Sequence, residues 1–294
     1  MSSNFTYNPV RWVKLTGITA MLSISCAVTA QVPVVQVGTD QNALFGVEDN
    51  VRDFLSANRG TAGGGDQSLQ AGDALSGTEG SDVLIGALGI DVLFGEGGDD
   101  ILIGGTEDFN PFNRDRAFGG TGDDVFLWAP GDGNDFFDGG DGIDVVMLGL
   151  IGEERDTDGG ETGAPFFNVN PPAGQGSQDF DGIYINPANG LPMMNVAGGP
   201  GFCEVVDGRA NDADGEALAA LALDHLVRFI LRGPASDTSN PDTGLRIAIH
   251  LLNTEFLVCG GETPGETVVI DLTVSPPAIV DVADLPADAF NLIF

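Results

Sequence analysis

Gly77-Thr78-Glu79-Gly80-Ser81-Asp82-Val83-Leu84-Ile85, Gly86-Ala87-Leu88-Gly89-Ile90-Asp91-Val92-Leu93-Phe94 and Gly95-Glu96-Gly97-Gly98-Asp99-Asp100-Ile101-Leu102-Ile103 follow one another without a gap. Each nine-residue unit has glycine at its first and fourth places, aspartate at its sixth and leucine at its eighth. The period continues. A fourth unit opens at Gly104-Gly105-Thr106, is interrupted by Glu107 to Phe112, and resumes from Asn113 to Phe118 with Asp115 in place. Gly119 to Leu127 is a fifth unit, with Gly122, Asp124 and Phe126. Trp128 and Ala129 intervene before the sixth, Pro130 to Asp138, which holds Gly133, Asp135 and Phe137. Gly139 to Met147 is the seventh, with Gly142, Asp144 and Val146. Asp73-Ala74-Leu75 reads as the tail of a degenerate earlier unit.

Spacing gives each position a role. Glycines early in the unit permit turns that residues with a Cβ avoid. The three residues after each aspartate form a short strand, and alternation puts the eighth position on one face and the seventh and ninth on the other. Leu84, Leu93, Leu102, Phe126, Phe137 and Val146 are thus expected inside. A flexible Gly/Asp linker would not repeat an apolar residue two places after every aspartate.

These units resemble the RTX (hemolysin-type) calcium-binding nonapeptide repeat, G-G-x-G-x-D-x-U-x with U apolar. The resemblance covers about a quarter of the chain. It implies a parallel β-roll with two units per coil, so each unit stacks on the one two places along. Predicted neighbours on one edge are Asp82, Asp100, Asp124 and Asp144; on the other they are Asp91, Asp115 and Asp135. Ca²⁺ takes six to eight oxygens, carboxylate and carbonyl alike. The expected ligands are these seven aspartates, with turn carbonyls at Gly80, Gly98, Gly122, Gly133 and Gly142. The insertion after Thr106 makes the Asp91–Asp115 step the weakest expectation.

Charge supports a cation as partner. The chain has 294 residues, 44 Asp+Glu, 11 Lys+Arg and a formal net charge of −33. Nucleic acids and anionic membrane surfaces need Lys/Arg to meet phosphate, so neither is expected as a partner. Residues 68–147 hold 17 acidic residues and only Arg114 and Arg116 as basic ones. Stacked carboxylates without cations repel, so the segment needs metal to fold. With 42% hydrophobic residues the chain has material for a core. The outward positions Val83, Ile85, Val92, Phe94, Ile101, Ile103, Val125 and Leu127 are apolar too, which predicts a cover from elsewhere in the chain or from a second chain.

The first 39 residues contain no acid; Arg11 and Lys14 precede an apolar stretch, Leu15 to Ala27, and small residues at 28–30. This reads as a cleaved export signal, too short and Ser/Thr-rich for a transmembrane span. Cys26 would fit a lipoprotein signal poorly, because Ser23 stands where leucine is usual. Export leaves Cys203 and Cys259, which are then expected to pair. The apolar tail, Ala289 to Phe294, fits either a C-terminal export signal or final packing.

The expected fold class is all-β: a parallel β-roll (β-solenoid) of seven nonapeptide repeats followed by a small β-rich, sandwich-like domain. The expected organisation is a signal at 1–30, an N-terminal segment at 31–67, the roll at 68–150, a linker or loop at 151–182 and the β-rich domain at 183–294. Strands are read near Val34–Val37, Ile183–Ile185, Phe202–Val206, Leu245–Leu251, Phe256–Val258 and Val268–Leu272, with short helices at Asn42–Ser56 and Glu216–Leu223. Leu226–Leu231 fits either helix or strand.

No H-E-x-x-H helix, G-x-S-x-G elbow or P-loop occurs, so no catalytic residue is assigned. His225 and His250 read as structural, and Asp212 and Asp214 as a solvated loop. The function read from the sequence is a secreted calcium-binding protein (extracellular, periplasmic or surface-held), structural or in contact with a surface, matrix or protein partner. The alternatives are a secreted hydrolase with an unrecognised site in 183–294 and a passive calcium-folded export or stability module. Convergence of His225 and His250 would favour the hydrolase. Oligomeric state stays open.

Overall fold

The computed structural model describes residues 35–37, 71–86, 90–105, 114–129, 132–151, 177–178, 184–186, 189–199, 201–232, 246–286, 289 and 291–293, all within the unit 31–294. The leader, the 42–56 helix and most of the 151–182 segment lie outside these residues.

The strands in chain order are β1 Val35–Val37, β2 Ala71–Ser76, β3 Val83–Ile85, β4 Ile90–Gly97, β5 Ile101–Ile103, β6 Arg116–Thr121, β7 Val125–Trp128, β8 Phe136–Asp141 and β9 Val145–Leu148. There follow β10 Leu150–Ile151, β11 Ser177–Gln178, β12 Tyr184–Ile185, β13 Met194–Asn195 and β14 Gly201–Asp207. After helix α1, Ala213–Ala220, come β15 His225–Leu231, β16 Arg246–Leu252, β17 Phe256–Gly260, β18 Thr267–Asp271 and β19 Ala278–Val280. The segment 226–231 is therefore strand, and the 216–223 helix begins earlier. Asp212 and Asp214 belong to that helix rather than to a loop. Asp212 is its N-cap, accepting the Gly215 N–H at 2.9 Å.

Alternate repeat strands go to alternate sheets. One sheet runs β1-β3-β5-β7-β9-β17-β18-β19 and the other β14-β15-β16-β8-β6-β4-β2. Within the repeats all pairings are parallel. Neighbouring aspartates on an edge are 18 residues apart where the units are uninterrupted, 24 across the insertion after Thr106 and 20 across Trp128 and Ala129. Register thus survives both insertions, and Trp128 extends β7 to pair with Leu148.

The eighth-position residues face each other between the sheets. Leu84, Leu93, Leu102, Phe126, Phe137 and Val146 are all fully buried in one cluster. Phe126 stacks on Phe137 across the roll, with ring centroids 5.4 Å apart.

Residues 246–260 continue both sheets instead of starting a new core. Strand β16 pairs parallel with β8, matching Leu251 to Phe137, and β17 pairs parallel with β9, matching Leu257 to Val146. Ile247, Ile249 and Leu251 point into the same interior as the repeat leucines. The Cys203–Cys259 disulfide joins β14 of one sheet to β17 of the other.

The chain covers its own outer face. Val83, Ile85, Ile101, Ile103, Val125 and Leu127 are buried beneath Met194, Val196, Leu285, Ala289 and Leu292. Met194 donates its N–H to the Leu292 carbonyl at 2.8 Å, so the tail is packed structure here. On the other sheet Val92 is buried, while Phe94 and Phe118 form a half-buried stack with centroids 5.3 Å apart. No helix among the described residues is long and apolar enough to cross a membrane.

Candidate calcium-binding site

Each repeat aspartate lies at a bend next to the strand it precedes or opens, and the two rows read from the sequence stack as expected. On one edge, Asp82 N–H donates to Asp100 Oδ1 (2.7 Å), Asp100 N–H to Asp124 Oδ1 (2.9 Å) and Asp124 N–H to Asp144 Oδ1 (2.8 Å). On the other, Asp91 N–H donates to Asp115 Oδ1 (2.7 Å) and Asp115 N–H to Asp135 Oδ1 (2.8 Å). The Asp91–Asp115 step, expected to be the weakest, has the same geometry as the rest. Asp73, from the degenerate unit, joins that row by donating its N–H to Asp91 Oδ1 at 2.5 Å.

Oδ1 of Asp91, Asp100, Asp115, Asp124, Asp135 and Asp144 thus fixes the preceding bend, while Asp82 Oδ2 accepts the Thr78 N–H at 2.5 Å. The other oxygen, Oδ2, is what points to a metal. All seven aspartates are buried, at most 1% exposed. Oδ2 of Asp91, Asp100, Asp124, Asp135 and Asp144 is buried with no hydrogen-bond partner. A buried acceptor without a donor is costly, and a buried carboxylate oxygen more so.

The space beside these oxygens is bounded by more acceptors. A Cβ added at Gly95 would collide with both Asp100 Oδ2 and the Gly119 carbonyl. One at Gly119 would collide with Asp124 Oδ2 and the Gly139 carbonyl, and one at Gly86 with Asp91 Oδ2 and the Gly104 carbonyl. Carboxylate and carbonyl oxygens therefore converge where glycine leaves room. An all-oxygen set fits a hard cation such as Ca²⁺.

The repeat pattern predicts carbonyl ligands at the fourth-position glycines. Gly80, Gly98, Gly122 and Gly142 stack turn upon turn, the Gly98 carbonyl against Gly122 and the Gly122 carbonyl against Gly142. Gly98, Gly122, Gly133 and Gly142 all have positive φ; Gly80 does not. Carbonyls of the first-position glycines Gly104, Gly119 and Gly139 border the space beside Oδ2 of Asp91, Asp100 and Asp124.

Electrostatics agree with the geometry. Burial, reinforced by neighbouring acids, pushes Asp100 up to about 7 and Asp91, Asp124 and Asp144 up to about 8. Burial and the charge of Asp132 drive Asp135 well above the usual carboxylate range. Burial of this kind disfavours a bare carboxylate charge and favours its neutralisation by a proton or a cation.

Asp132 is the site residue that the sequence reading missed. It is fully buried and lies with Asp115 and Asp135 so that one ligand atom from each falls within 4.8 Å of the others. It occupies the third place of its unit, where Glu79 and Asp141 of other units are exposed. The repeat position alone therefore could not single it out. Here it supplies extra charge at the end of a row, because the strand stacked next, β16, has Ile249 beside Asp135 rather than an acid.

The two histidines do not converge. His225 is buried, its Nε2 lying 3.1 Å from an Arg209 nitrogen and 3.6 Å from Asp207. His250 is half-buried on the opposite face of the sheet, a ring nitrogen 3.3 Å from the Asp135 carbonyl. Arg209 also donates to the Leu272, Thr273 and Val274 carbonyls, tying the 272–274 segment to β14 and β15.

Residues 76–108 and 131–146 match the family profile of the RTX calcium-binding nonapeptide repeat, in four copies. Repeats of this family bind Ca²⁺. No curated protein and no solved structure matches the chain.

Proposed function

We propose that this is a secreted calcium-binding protein whose repeat segment folds around Ca²⁺, with a structural or surface- and matrix-contacting role. The observation that carries the reading is the set of buried, unpartnered Oδ2 atoms, of which those of Asp91, Asp100, Asp124 and Asp144 each lie next to a glycine and a carbonyl. Asp82, Asp91, Asp100, Asp115, Asp124, Asp135 and Asp144 hold the ions with turn carbonyls, and Asp132 adds to the second row. The carbonyl set combines Gly80, Gly98, Gly122, Gly133 and Gly142 with the first-position glycines. Residues 1–30 act as the export signal, and the mature chain folds outside the cell. Affinity on the order of 10⁻⁴–10⁻³ M is typical of extracellular calcium modules and would leave the roll unfolded in a low-calcium cytosol.

The test is circular dichroism of the chain during calcium titration from excess chelator. Calcium should produce a cooperative gain of β signal; a spectrum already native in chelator removes the reading. Intact-mass measurement of the secreted protein without reductant checks the leader and the Cys203–Cys259 bond together. A mass retaining residues 1–30 would refute the cleaved signal.

A further inference from the structure

The row Asp82–Asp100–Asp124–Asp144 does not stop with the last repeat. Asp144 N–H donates to Glu255 Oε2 at 2.8 Å, the distance at which Asp124 N–H meets Asp144 Oδ1. Phe256 N–H donates to the Asp144 carbonyl at 3.0 Å, as Val145 N–H does to the Asp124 carbonyl at 2.9 Å. Strand pairing matches Phe256 to Val145, so Glu255 stands at the register position of the next aspartate. Residues 246–260 thus imitate a coil of the roll without a glycine-aspartate repeat.

The glycine row continues likewise. Gly95, Gly119 and Gly139 carbonyls each lie beside the first glycine of the preceding coil, and the Asn253 carbonyl lies beside Gly139 in the same relation. A Cβ at Gly139 would collide with Asn253 O and with Asp144 Oδ2. Asp144 is fully buried, and its Oδ2 has no hydrogen-bond partner. Asn253 adopts φ 45°, a conformation asparagine tolerates better than most residues. Its backbone is held by Asp224 Oδ2, which accepts its N–H at 2.9 Å, and its side chain by Asp138 Oδ1 at 2.8 Å.

We propose that Asp144 Oδ2, the Asn253 carbonyl and the Glu255 carboxylate form a terminal Ca²⁺ site between the last repeat and the β16–β17 bend. This rests on the calcium reading of the roll. It adds an ion that no repeat pattern encodes, and that ion clamps the C-terminal strands to the coil. Strand β17, which follows Glu255, also carries the disulfide cysteine Cys259.

Calcium stoichiometry of the full chain, measured by equilibrium dialysis for the wild type and for Glu255→Gln, tests it. Glutamine keeps an acceptor for the Asp144 N–H but removes the charge. The variant should bind one ion fewer per chain while the remaining ions bind as before. Unchanged stoichiometry and affinity would overturn the terminal site. A wild type that binds no calcium would instead overturn the reading of the whole roll. A wild-type crystal grown in calcium avoids dependence on the variant's folding. Anomalous density between Asp144 Oδ2 and Asn253 O supports the site, and ions in earlier turns with none here refute it.

Discussion

At the residue scale, division of labour between the two carboxylate oxygens explains why aspartate recurs. Oδ1 of Asp124 holds the Asp100 N–H at 2.9 Å, and Oδ2 is left buried with no hydrogen-bond partner. Asp124→Asn should therefore preserve the backbone bond yet raise the calcium midpoint of folding by about tenfold or more, since roughly 1.4 kcal/mol corresponds to a factor of ten. A dichroism-monitored titration reads this directly, and an unchanged midpoint would exclude Asp124 as a ligand. Gly119→Ala places a methyl against Asp124 Oδ2 and the Gly139 carbonyl, both fixed by the roll. It should weaken calcium-driven folding at least as much without removing any charge. If the alanine variant titrates like the wild type, the space beside Gly119 is not needed.

At the element scale, the strands are too short to persist alone, and the bends decide whether they stack. Strands β3 and β5 have three residues each. Buried carboxyls at their bends give a definite pH dependence. In the calcium-free fold Asp100, Asp124 and Asp144 bind protons up to about 7 or 8, whereas an unfolded aspartate releases its proton near 3.8. The folded state then holds more protons, so stability falls as pH rises between about 4 and 8. In chelator, β content should increase on acidification from pH 8 to pH 5. In calcium the direction reverses for affinity, because protons compete with the ion, and binding should be weaker at pH 6 than at pH 8. Dichroism and calcium titration at the two pH values check both halves. A chelated protein that becomes more ordered toward pH 8 would contradict the burial of these carboxyls.

At the scale of the whole molecule, two devices unite repeat and non-repeat segments. The first is the disulfide, which closes a loop of sequence separation 56 between the sheets. Chain-entropy reasoning assigns such a closure about 4 kcal/mol. Reduction in saturating calcium should lower the melting temperature while leaving calcium binding by the repeats in place. Loss of both together would mean that the repeats cannot fold apart from the disulfide. The second is the cover over the outer face, where Met194 is completely buried against the β3–β9 side chains. Met194→Ala should cost about 2–5 kcal/mol, the usual range for emptying a buried methionine site. Chemical denaturation in calcium measures this, and a cost near zero would show that the cover does not bear on stability.

The stacked coil is legible in the nine-residue period alone. A nine-residue period dictates which side chains face inward, and a carboxylate in every bend dictates a cation, because both follow from local geometry and charge. Two insertions left the stacking readable, since the pattern resumes in phase after each. What the repeats lean on depends on long-range strand pairing. Arg246–Leu252 looks in sequence like an ordinary half-buried strand, with nothing to say that its partner is β8 more than 100 residues earlier. Asp132 and Glu255 were illegible as site residues for the same reason. Their roles depend on which strand stacks next and on which bend it brings alongside, and long-range pairing of that kind leaves no periodic trace in the chain.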